Sequence, residues 1–424
     1  MASPGTAKTT ASPSARTALP RPYLYWLAGT RVSLVGDAAL HFALGWAASA
    51  HGGRTAALVL TAITLPRTLF LLLGGAVGDR FGARRMMITG DVAMLATVLA
   101  LAVAARLWGT PPWMLVGFAV VVGTVDAFYL PATGSMPRRL VSGEQLPRAM
   151  ALQQAGGQVA ALLGAPLGAV LVAMAGLSGT ALVDAVSFAA VLAVMVWVRP
   201  VAGAGRSPRA GGLLAGIADG VRTAATDSVL RAALLLTAAA AAGLLPAIAL
   251  LGPLLARSDG WGPGSAGLVA AGQGAGMLLT ALVAARLGPM RRIGVGASLG
   301  LALAAAGLAG LAAAPVPAAA VASAGIVGAG SGMFACHLGP LVLAGAPDTH
   351  LSRIQSLLTL VQSLALVVAN NALGWFAHAA GARSAIALCA VIGCAAGIAG
   401  LASPALRGLR RAPEVDRTES PVAP

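Results

Sequence analysis

The sequence predicts an all-α membrane protein in which about twelve transmembrane helices form two pseudo-symmetric six-helix bundles. Apolar residues make up 58% of the chain and charged residues only 10%, and the mean hydropathy is +0.85. Soluble domains carry about 25% charged residues, so a soluble chain of this length would lack the polar surface that keeps it dissolved. Apolar stretches of roughly 20 residues, long enough to cross a bilayer as helices, recur along the chain.

Twelve apolar segments account for most of the chain, and the polar gaps between them define the topology. We place the segments at about 25–48, 55–77, 86–105, 112–133, 149–173, 180–199, 229–256, 263–285, 294–313, 318–340, 354–377 and 383–404.

Basic residues are distributed unequally between the two sides that these segments define. Of the 28 Lys and Arg residues, 22 lie in the tails or in alternate gaps, two lie within segments, and four lie in the other gaps. Cytoplasmic loops carry the excess of basic residues. We therefore predict a multi-pass plasma-membrane protein with both termini in the cytoplasm, and no nucleic-acid partner despite the net charge of +15. Abundant Ala, Gly and Arg are typical of GC-rich bacteria. The four basic residues of the predicted outer gaps are Arg54, Arg106, Arg257 and Arg383.

The longest polar gap, at 200–228, divides the chain into two halves of six segments each, 25–199 and 229–404. This gap forms either a short amphipathic helix on the inner membrane face or a flexible linker. The first 24 residues, at 1–24, are rich in Ser, Thr, Ala and Pro, and we expect a disordered cytoplasmic tail rather than a signal peptide. Residues 405–424 are predicted to form a second cytoplasmic tail.

A weak internal repeat relates the two halves. Segments beginning at 146 and at 351 share Leu, Arg and Leu at equivalent positions: Leu146, Arg148 and Leu152 match Leu351, Arg353 and Leu357. Two parallel repeats of six helices are typical of membrane proteins that bind a ligand between two bundles.

The loop between the second and third segments, at 75–85, reads GAVGDRFGARR and resembles the signature loop of the major facilitator superfamily, G-x-x-x-D-R-x-G-R-R/K. Ala83 stands where Arg is usual, and Arg85 follows the motif directly. The pattern is matched by Gly75, Asp79, Arg80, Gly82 and Arg84.

We expect this loop to have a gating role; the alternative is a basic loop that only sets the topology, which would explain its Arg residues but not Asp79. Gly82 permits a sharp turn between two helices, and the Arg residues favour the inner surface. Asp79 can accept hydrogen bonds from the N-terminus of a neighbouring helix. We expect that neighbour to be the eleventh segment, near 352–356.

The whole chain looks most similar to the drug:proton antiporter branch of that superfamily, which includes macrolide and multidrug exporters. In the fifth segment, GAPLG at 164–168 is similar to the antiporter motif of this branch, G-P-x-x-G-G. Gly164, Pro166 and Gly168 carry the similarity, although Ala165 intervenes and the last Gly is absent. The alternative is a small-residue packing face with a proline kink.

Ionisable residues inside membrane segments are costly and usually functional, and here all of them lie in the N-terminal half. Asp37 lies ~18 Å and Arg67 ~15 Å from the inner ends of their helices, so we expect them to pair near the midplane. Arg31 and Asp91 lie closer to the inner surface and can pair in the same way. The set consists of Arg31, Asp37, Arg67, Asp91, Asp126 and Asp184.

A carboxylate that is buried in one state and hydrated in another binds a proton with two different affinities. We predict that Asp37 couples proton movement to transport in this way, with Arg67 and Arg31 as charged partners and Asp126 as the second candidate. Asp184, which we place in the first turn of the sixth segment, has an ordinary structural explanation as an acid near a helix N-terminus.

The remaining polar side chains within the segments are few, so a cavity between the halves would be only mildly polar. Such a cavity suits a hydrophobic or amphipathic substrate better than a sugar. The predicted lining residues are Gln153, Gln154, Gln158, Gln273, His337, Gln362, Asn370 and Asn371.

The resemblance implies a monomeric secondary transporter in the lipid bilayer that exports drugs or antibiotics in exchange for protons by alternating access. It is not an enzyme and needs no cofactor or metal; the sequence has no phosphate-binding loop, and its three Cys lie in apolar runs. The alternative within the fold is a metabolite permease, either a siderophore exporter or a nutrient importer. A membrane enzyme would need clustered acids, His or Cys at one face, and a sensor would need a sizeable soluble domain.

Overall fold

The computed structural model describes residues 19–197, 227–288, 290–345 and 351–409, and these are almost entirely helical. A continuous helical stretch, Leu146–Trp197, kinks at Gly176, where φ is 63°. The kink divides this stretch into α6 (146–175) and α7 (177–197). The preceding helices of the N-terminal half are α1 (Arg21–Ser49), α2 (Gly53–Phe81), α3 (Ala83–Trp108), α4 (Pro112–Ser135) and the short α5 (Pro137–Leu140), followed by a 3₁₀ turn (Gly143–Gln145).

The C-terminal half contains six long helical passes and one short terminal helix in the described ranges. The first pass of this half, which is the seventh of the chain, is broken after Ala249. Two helices, α8 and α9, therefore replace the single predicted segment. The helices are α8 (Ser228–Ala249), α9 (Leu251–Ser258), α10 (Pro263–Leu287), α11 (Ile293–Ala313), α12 (Pro317–Gly345), α13 (Leu351–Ala380), α14 (Ala382–Ala402) and α15 (Pro404–Arg407).

Eleven of the described helical stretches are long and apolar enough to cross a membrane. One of them, Gly143–Trp197, is 55 residues long and holds two passes because of the kink at Gly176. Only glycine readily adopts the positive φ that reverses the chain at Gly176 and at Gly82. Gly82 lies between α2 and α3, and its φ is 90°. The predicted all-α class with about twelve passes is therefore confirmed.

Helix pairing repeats between the two halves. In the N-terminal half α1 packs along α6, α2 against α4, and α3 against both α4 and α7. In the C-terminal half α8 packs along α13, α10 against α12, and α11 against both α12 and α14. These are the same pairs once the six passes of the two halves are matched in order. In this matching α8 and α9 together count as one pass, and the short α5 is left out.

Small residues allow the closest of these contacts. A methyl group added at Gly123 of α4 would overlap the Ile63 carbonyl of α2, and one added at Gly328 of α12 would overlap the Gln273 carbonyl of α10. Such backbone approach is typical of membrane helices, where packing rather than the hydrophobic effect holds helices together.

Several boundaries differ from the predicted ones. Helix α1 begins at Arg21 rather than at about residue 25, so the end of the predicted disordered tail is helical. The predicted cytoplasmic tail from 405 begins instead with α15, whose Leu406 is buried against Gly294 of α11. The amphipathic segment predicted at 200–228 lies almost entirely outside the described residues. Asp227 at its end caps α8 by accepting hydrogen bonds from the amides of Val229 and Leu230, both 2.8 Å long.

Candidate functional site

Three carboxylates from three other helices lie within electrostatic range of Asp37 inside the N-terminal bundle. Asp37 on α1 has Asp184 on α7, Asp126 on α4 and Asp91 on α3 as its electrostatic neighbours. Asp91 is fully buried and Asp184 is 1% exposed. The sequence places these residues far apart, and only the packing of four helices brings them together.

The basic side chains of this cluster act on Asp126 rather than on Asp37. His41 of α1 and Arg67 of α2 lie within electrostatic range of Asp126, whereas the groups within range of Asp37 are the three other carboxylates. The structure therefore corrects the expected Asp37–Arg67 pair, because Arg67 on α2 faces α4, the helix against which α2 packs. His41 is held in place through its Nδ1, which lies 2.7 Å from the Asp37 backbone carbonyl one helical turn earlier.

Several carboxylate oxygens of the cluster are buried without a hydrogen-bond partner in the described part of the chain. They are Asp37 Oδ1, Asp184 Oδ2 and both oxygens of Asp91. The Tyr129 hydroxyl lies beside Asp91 without reaching hydrogen-bond geometry. An ionised carboxylate in such a place would be strongly destabilised, so these positions favour a bound proton or a cationic ligand.

Arg31 does not pair with Asp91 as expected. Its Nη1 donates a hydrogen bond of 3.2 Å to the Gln153 carbonyl on α6, and its stem packs over Gly156. Arg31 therefore joins α1 to α6, and the titratable groups beside it are the phenols of Tyr23 and Tyr129.

Asp184 is not a helix N-terminal residue either. Helix α7 starts after Gly176, so Asp184 lies about two turns inside it. Its Oδ1 accepts a hydrogen bond of 2.9 Å from Ser187 and lies against Gly36 of α1. The ordinary explanation given to this residue from the sequence is therefore wrong, because the kink at Gly176 ends one helix and starts the next earlier than predicted.

The segment at 164–168 joins three helices beside this cluster. A methyl group at Gly164 would overlap Ala38 of α1, and one at Gly168 would lie 2.5 Å from the Ala39 carbonyl. On the other side of α6, a methyl group at Gly267 of α10 would lie 3.4 Å from Pro166 Cα. The motif thus places α1, which carries Asp37, and α10 of the other half against the same stretch of α6.

The signature loop forms a sharp turn at the predicted inner surface. Gly82 adopts the left-handed conformation expected from its place in the motif. Arg84 donates hydrogen bonds of 2.8 and 3.3 Å to the carbonyls of Met195 and Val196 at the end of α7, where a cation is favoured by the helix dipole. Gly75 lies within α2, and Arg80 and Arg85 are exposed. The Asp79 side chain and those of 351–353 and 356 lie outside the described part, so the Asp79 contact stays a prediction.

The predicted lining residues divide into exposed and packed groups. Gln154, Gln158 and Gln362 are exposed, and Gln153 and Gln273 are half-buried. Asn371 donates a hydrogen bond of 2.8 Å to Thr61 of α2, so it links the two halves. The neighbouring Asn370 is buried, and its Oδ1 is unpartnered among the described residues.

His337 differs from its predicted role as a lining residue. Its Nδ1 lies 2.7 Å from the Met333 carbonyl, and its Nε2 accepts a hydrogen bond of 2.9 Å from the Met290 amide. The ring packs on Gly296 of α11 and is 4% exposed. His337 therefore fastens the loop before α11 to α12, because both ring nitrogens are bonded to backbone.

Polar and ring contacts between the two halves concentrate at the predicted outer end. Arg257 of α9 lies over the Trp46 ring of α1, 4.2 Å from its centroid, and donates to Ser49 Oγ and the Trp46 carbonyl at 2.7 and 2.8 Å. Arg54 of α2 lies 3.5 Å from the centroid of the Trp375 ring on α13. These contacts tie the two halves together at that end.

A groove of about 780 Å³ lies between α8, α13 and α14 in the C-terminal half. All of its lining side chains are apolar, among them Ala239, Leu364, Phe376 and Ile392. In the described ranges no group of three or more His, Cys, Asp or Glu side chains is arranged to hold a metal ion.

Two six-helix bundles with repeated helix pairing and a buried ionisable cluster between helices define a polytopic membrane transporter of the two-bundle class. A family model for the major facilitator superfamily matches residues 27–370. The chain belongs to this superfamily, and it is a membrane-embedded transporter.

Comparisons with individual proteins agree with this assignment. The chain is 29% identical over 220 residues to the multidrug efflux pump Tap of Mycolicibacterium fortuitum, a match over 50% of this chain and 54% of that protein. The chain thus spans about half the length of that curated relative. The nucleoside transporter NupG is similar in structure, with a TM-score of 0.69, 12% identity and coverage of 90% of this chain and 99% of that one. A bacterial homologue of the iron transporter ferroportin in an inward-facing state gives a TM-score of 0.68 at 15% identity, covering 91% and 99%. At these identities the two structures show the fold alone.

Proposed function

We propose that this transporter exports hydrophobic or amphipathic small molecules, drugs and antibiotics among them, in exchange for protons. The observation that carries the proposal is the buried carboxylate cluster of the N-terminal half, in which Asp37 has carboxylates rather than cations as neighbours. A carboxylate in that position is stable when protonated and becomes ionisable when water or a cation reaches it.

Alternating access supplies the change of environment that this mechanism needs. Arginine–tryptophan contacts at Trp46 and Trp375 join the two halves at the predicted outer end, so our proposal takes that end as the closed one and the inner side as the route to the centre. Rocking of the two bundles would open the outer side and hydrate the cluster from there. One proton that enters from outside and leaves inside can then drive one export cycle.

The substrate class follows from what surrounds the centre. The predicted lining residues are mainly neutral amides, of which Gln154 and Gln158 are exposed, and the groove between α8, α13 and α14 is wholly apolar. Apolar surface binds hydrophobic compounds with little selectivity for shape. The similarity to a protein named as a multidrug efflux pump supports the same class.

The test is a drug-susceptibility panel in an efflux-deficient bacterial host. Cells that produce the wild-type chain are expected to tolerate higher concentrations of several amphipathic compounds than cells with an empty vector, and Asp37→Asn should remove this protection. Glu144→Gln, which neutralises an exposed acid in the turn before α6, is the matched control and should protect like the wild type. Equal susceptibility of wild-type and empty-vector cells across the panel would contradict drug export.

A further inference from the structure

We propose that Asp37 and Asp184 form a coupled carboxyl pair, bridged by the α1–α7 contact at Gly36, and that Asp184 is a second proton-binding residue of the transporter. This inference rests on the proposed proton coupling, because it assigns the residues that would hold the proton.

The contact between α1 and α7 brings the Asp184 carboxylate to the backbone next to Asp37. A methyl group at Gly36 would overlap Asp184 Oδ1 and would lie 2.8 Å from Ser187 Oγ. Any side chain at this position would therefore displace the carboxylate. The glycine that immediately precedes Asp37 makes room for the acid of the neighbouring helix.

Each acid of the pair has an unpartnered oxygen. Asp184 is 1% exposed, its Oδ1 is bonded to Ser187, and its Oδ2 has no partner among the described residues. Asp37 Oδ1 is likewise buried without one. Each carboxyl group therefore leaves an acceptor oxygen unsatisfied, and a proton bound to that group would reduce the cost of burying it.

The surrounding charges do not neutralise the pair. Among the ionisable groups around Asp37, Asp184 has the strongest electrostatic influence on it. Arg67 and His41 act on Asp126 instead. From the other elements around the cluster, the titratable and charged groups are Asp91 on α3, Asp126 and Tyr129 on α4, Arg67 on α2, His41 and Arg31 on α1.

Two neighbouring carboxylates without a counter-ion cannot both ionise in a medium of low dielectric, so such a pair keeps one proton and titrates in two separate steps. The pair lies within one bundle, since α1 and α7 both belong to the N-terminal half. Rocking of the bundles therefore leaves the pair intact, and its proton affinity changes only through hydration and through the approach of a cation.

The experiment is an infrared titration of the full-length protein in lipid nanodiscs. The band of protonated carboxyl groups is followed with pH, and the contribution of Asp37 is the part that Asp37→Asn removes. In Asp184→Asn the repulsion from the neighbouring acid is gone, so we expect the Asp37 band to vanish about one pH unit or more below the wild-type midpoint. An unchanged midpoint would overturn the pair.

Ser187→Ala provides a second variant, which keeps both acids and removes only the hydrogen bond to Asp184. In a coupled pair the titration midpoint of the Asp37 carboxyl band must move in Ser187→Ala, although Asp37 itself is unchanged. An unchanged midpoint in this variant contradicts the coupling, even if Asp184→Asn does not fold. Proton-driven transport by the wild type is measured separately in proteoliposomes. Coupled carboxyl titration without such transport would refute the proposed function and support the pair.

Discussion

The two halves of the molecule share one pattern of helix pairing but differ in how they treat buried titratable groups. In the C-terminal half, His337 is buried with both ring nitrogens bonded to backbone, and the partly exposed Asp259 pairs with Arg383 at 2.6 Å. In the N-terminal half, Asp184 and Asp91 are buried with unpartnered carboxylate oxygens. A fully bonded group has little freedom to change its protonation, whereas an unsatisfied one is destabilised unless it binds something. Under the proposed proton coupling, the N-terminal bundle would carry the ion chemistry and the C-terminal bundle would supply packing.

The largest effect is expected from removing the titratable group at the centre of the N-terminal cluster. Asp37→Asn fixes the site in a neutral form of similar size and hydrogen-bonding capacity. Uptake of ethidium into inverted proteoliposomes under an imposed pH gradient should fall to the level of empty liposomes, while exchange of ethidium down its own gradient should survive. Wild-type gradient-driven uptake in this variant would shift the role to Asp126.

The shared packing of the halves can be tested by the same change in each. Gly123→Ala and Gly328→Ala each place a methyl group on a facing carbonyl, and we expect each to destabilise the protein by about 1–3 kcal/mol. Gly117→Ala and Gly339→Ala lie on the same two helices with no atom within 4 Å of the added group, and should be neutral or slightly stabilising. Thermal unfolding in detergent measures all four. A large loss of stability in only one of the halves would show that equivalent helix pairs are not packed equally closely in the two halves.

A smaller effect is expected where the halves meet. Arg257→Gln removes the cation from the Trp46 ring and weakens the closed outer end by about 0.5–2 kcal/mol. Spin labels at Leu107 and Val316, exposed at the outer ends of the two halves, should report a larger population of long distances. Arg106→Gln alters an exposed outer arginine on α3 and should leave the distances as in the wild type. If Arg257→Gln leaves the distance distribution unchanged, the contact between Arg257 and Trp46 does not hold the two halves together at the outer end.

The smallest effect on transport is expected at the buried histidine of the C-terminal half. His337→Gln loses at least one of two backbone hydrogen bonds, and we expect a stability cost of about 1–2 kcal/mol. The pH profile of transport should be unchanged, because both ring nitrogens of His337 are held by the backbone, away from the carboxylate cluster of the other half. A shift of the pH profile would mean that both halves contribute titratable groups to transport. The two halves would then not differ in this respect.

The sequence by itself determined the membrane class, the number of passes and the family motif. Nearly every predicted segment coincides with a helix to within a few residues, because roughly 20 apolar residues in a bilayer have no stable alternative to a helix. The turn at Gly82 was also predictable, since the motif places a glycine where two helices must reverse within one residue. The same logic found the Asp and Arg residues of the cluster, because each interrupts an apolar run, but it missed His41 within α1.

Only the tertiary structure decided which of these residues meet. Depth along a helix suggested Asp37 with Arg67 and Arg31 with Asp91, yet depth does not fix the direction in which a side chain points. Packing of α2 on α4 turns Arg67 to Asp126, and the α1–α7 contact at Gly36 brings Asp184 to Asp37. The kink at Gly176, which moved Asp184 from a helix start to its interior, depends on one glycine within a continuous apolar helix. Rotation of helices about their axes is set by the close packing of small residues between neighbours, and that information is spread over partners far apart in the chain.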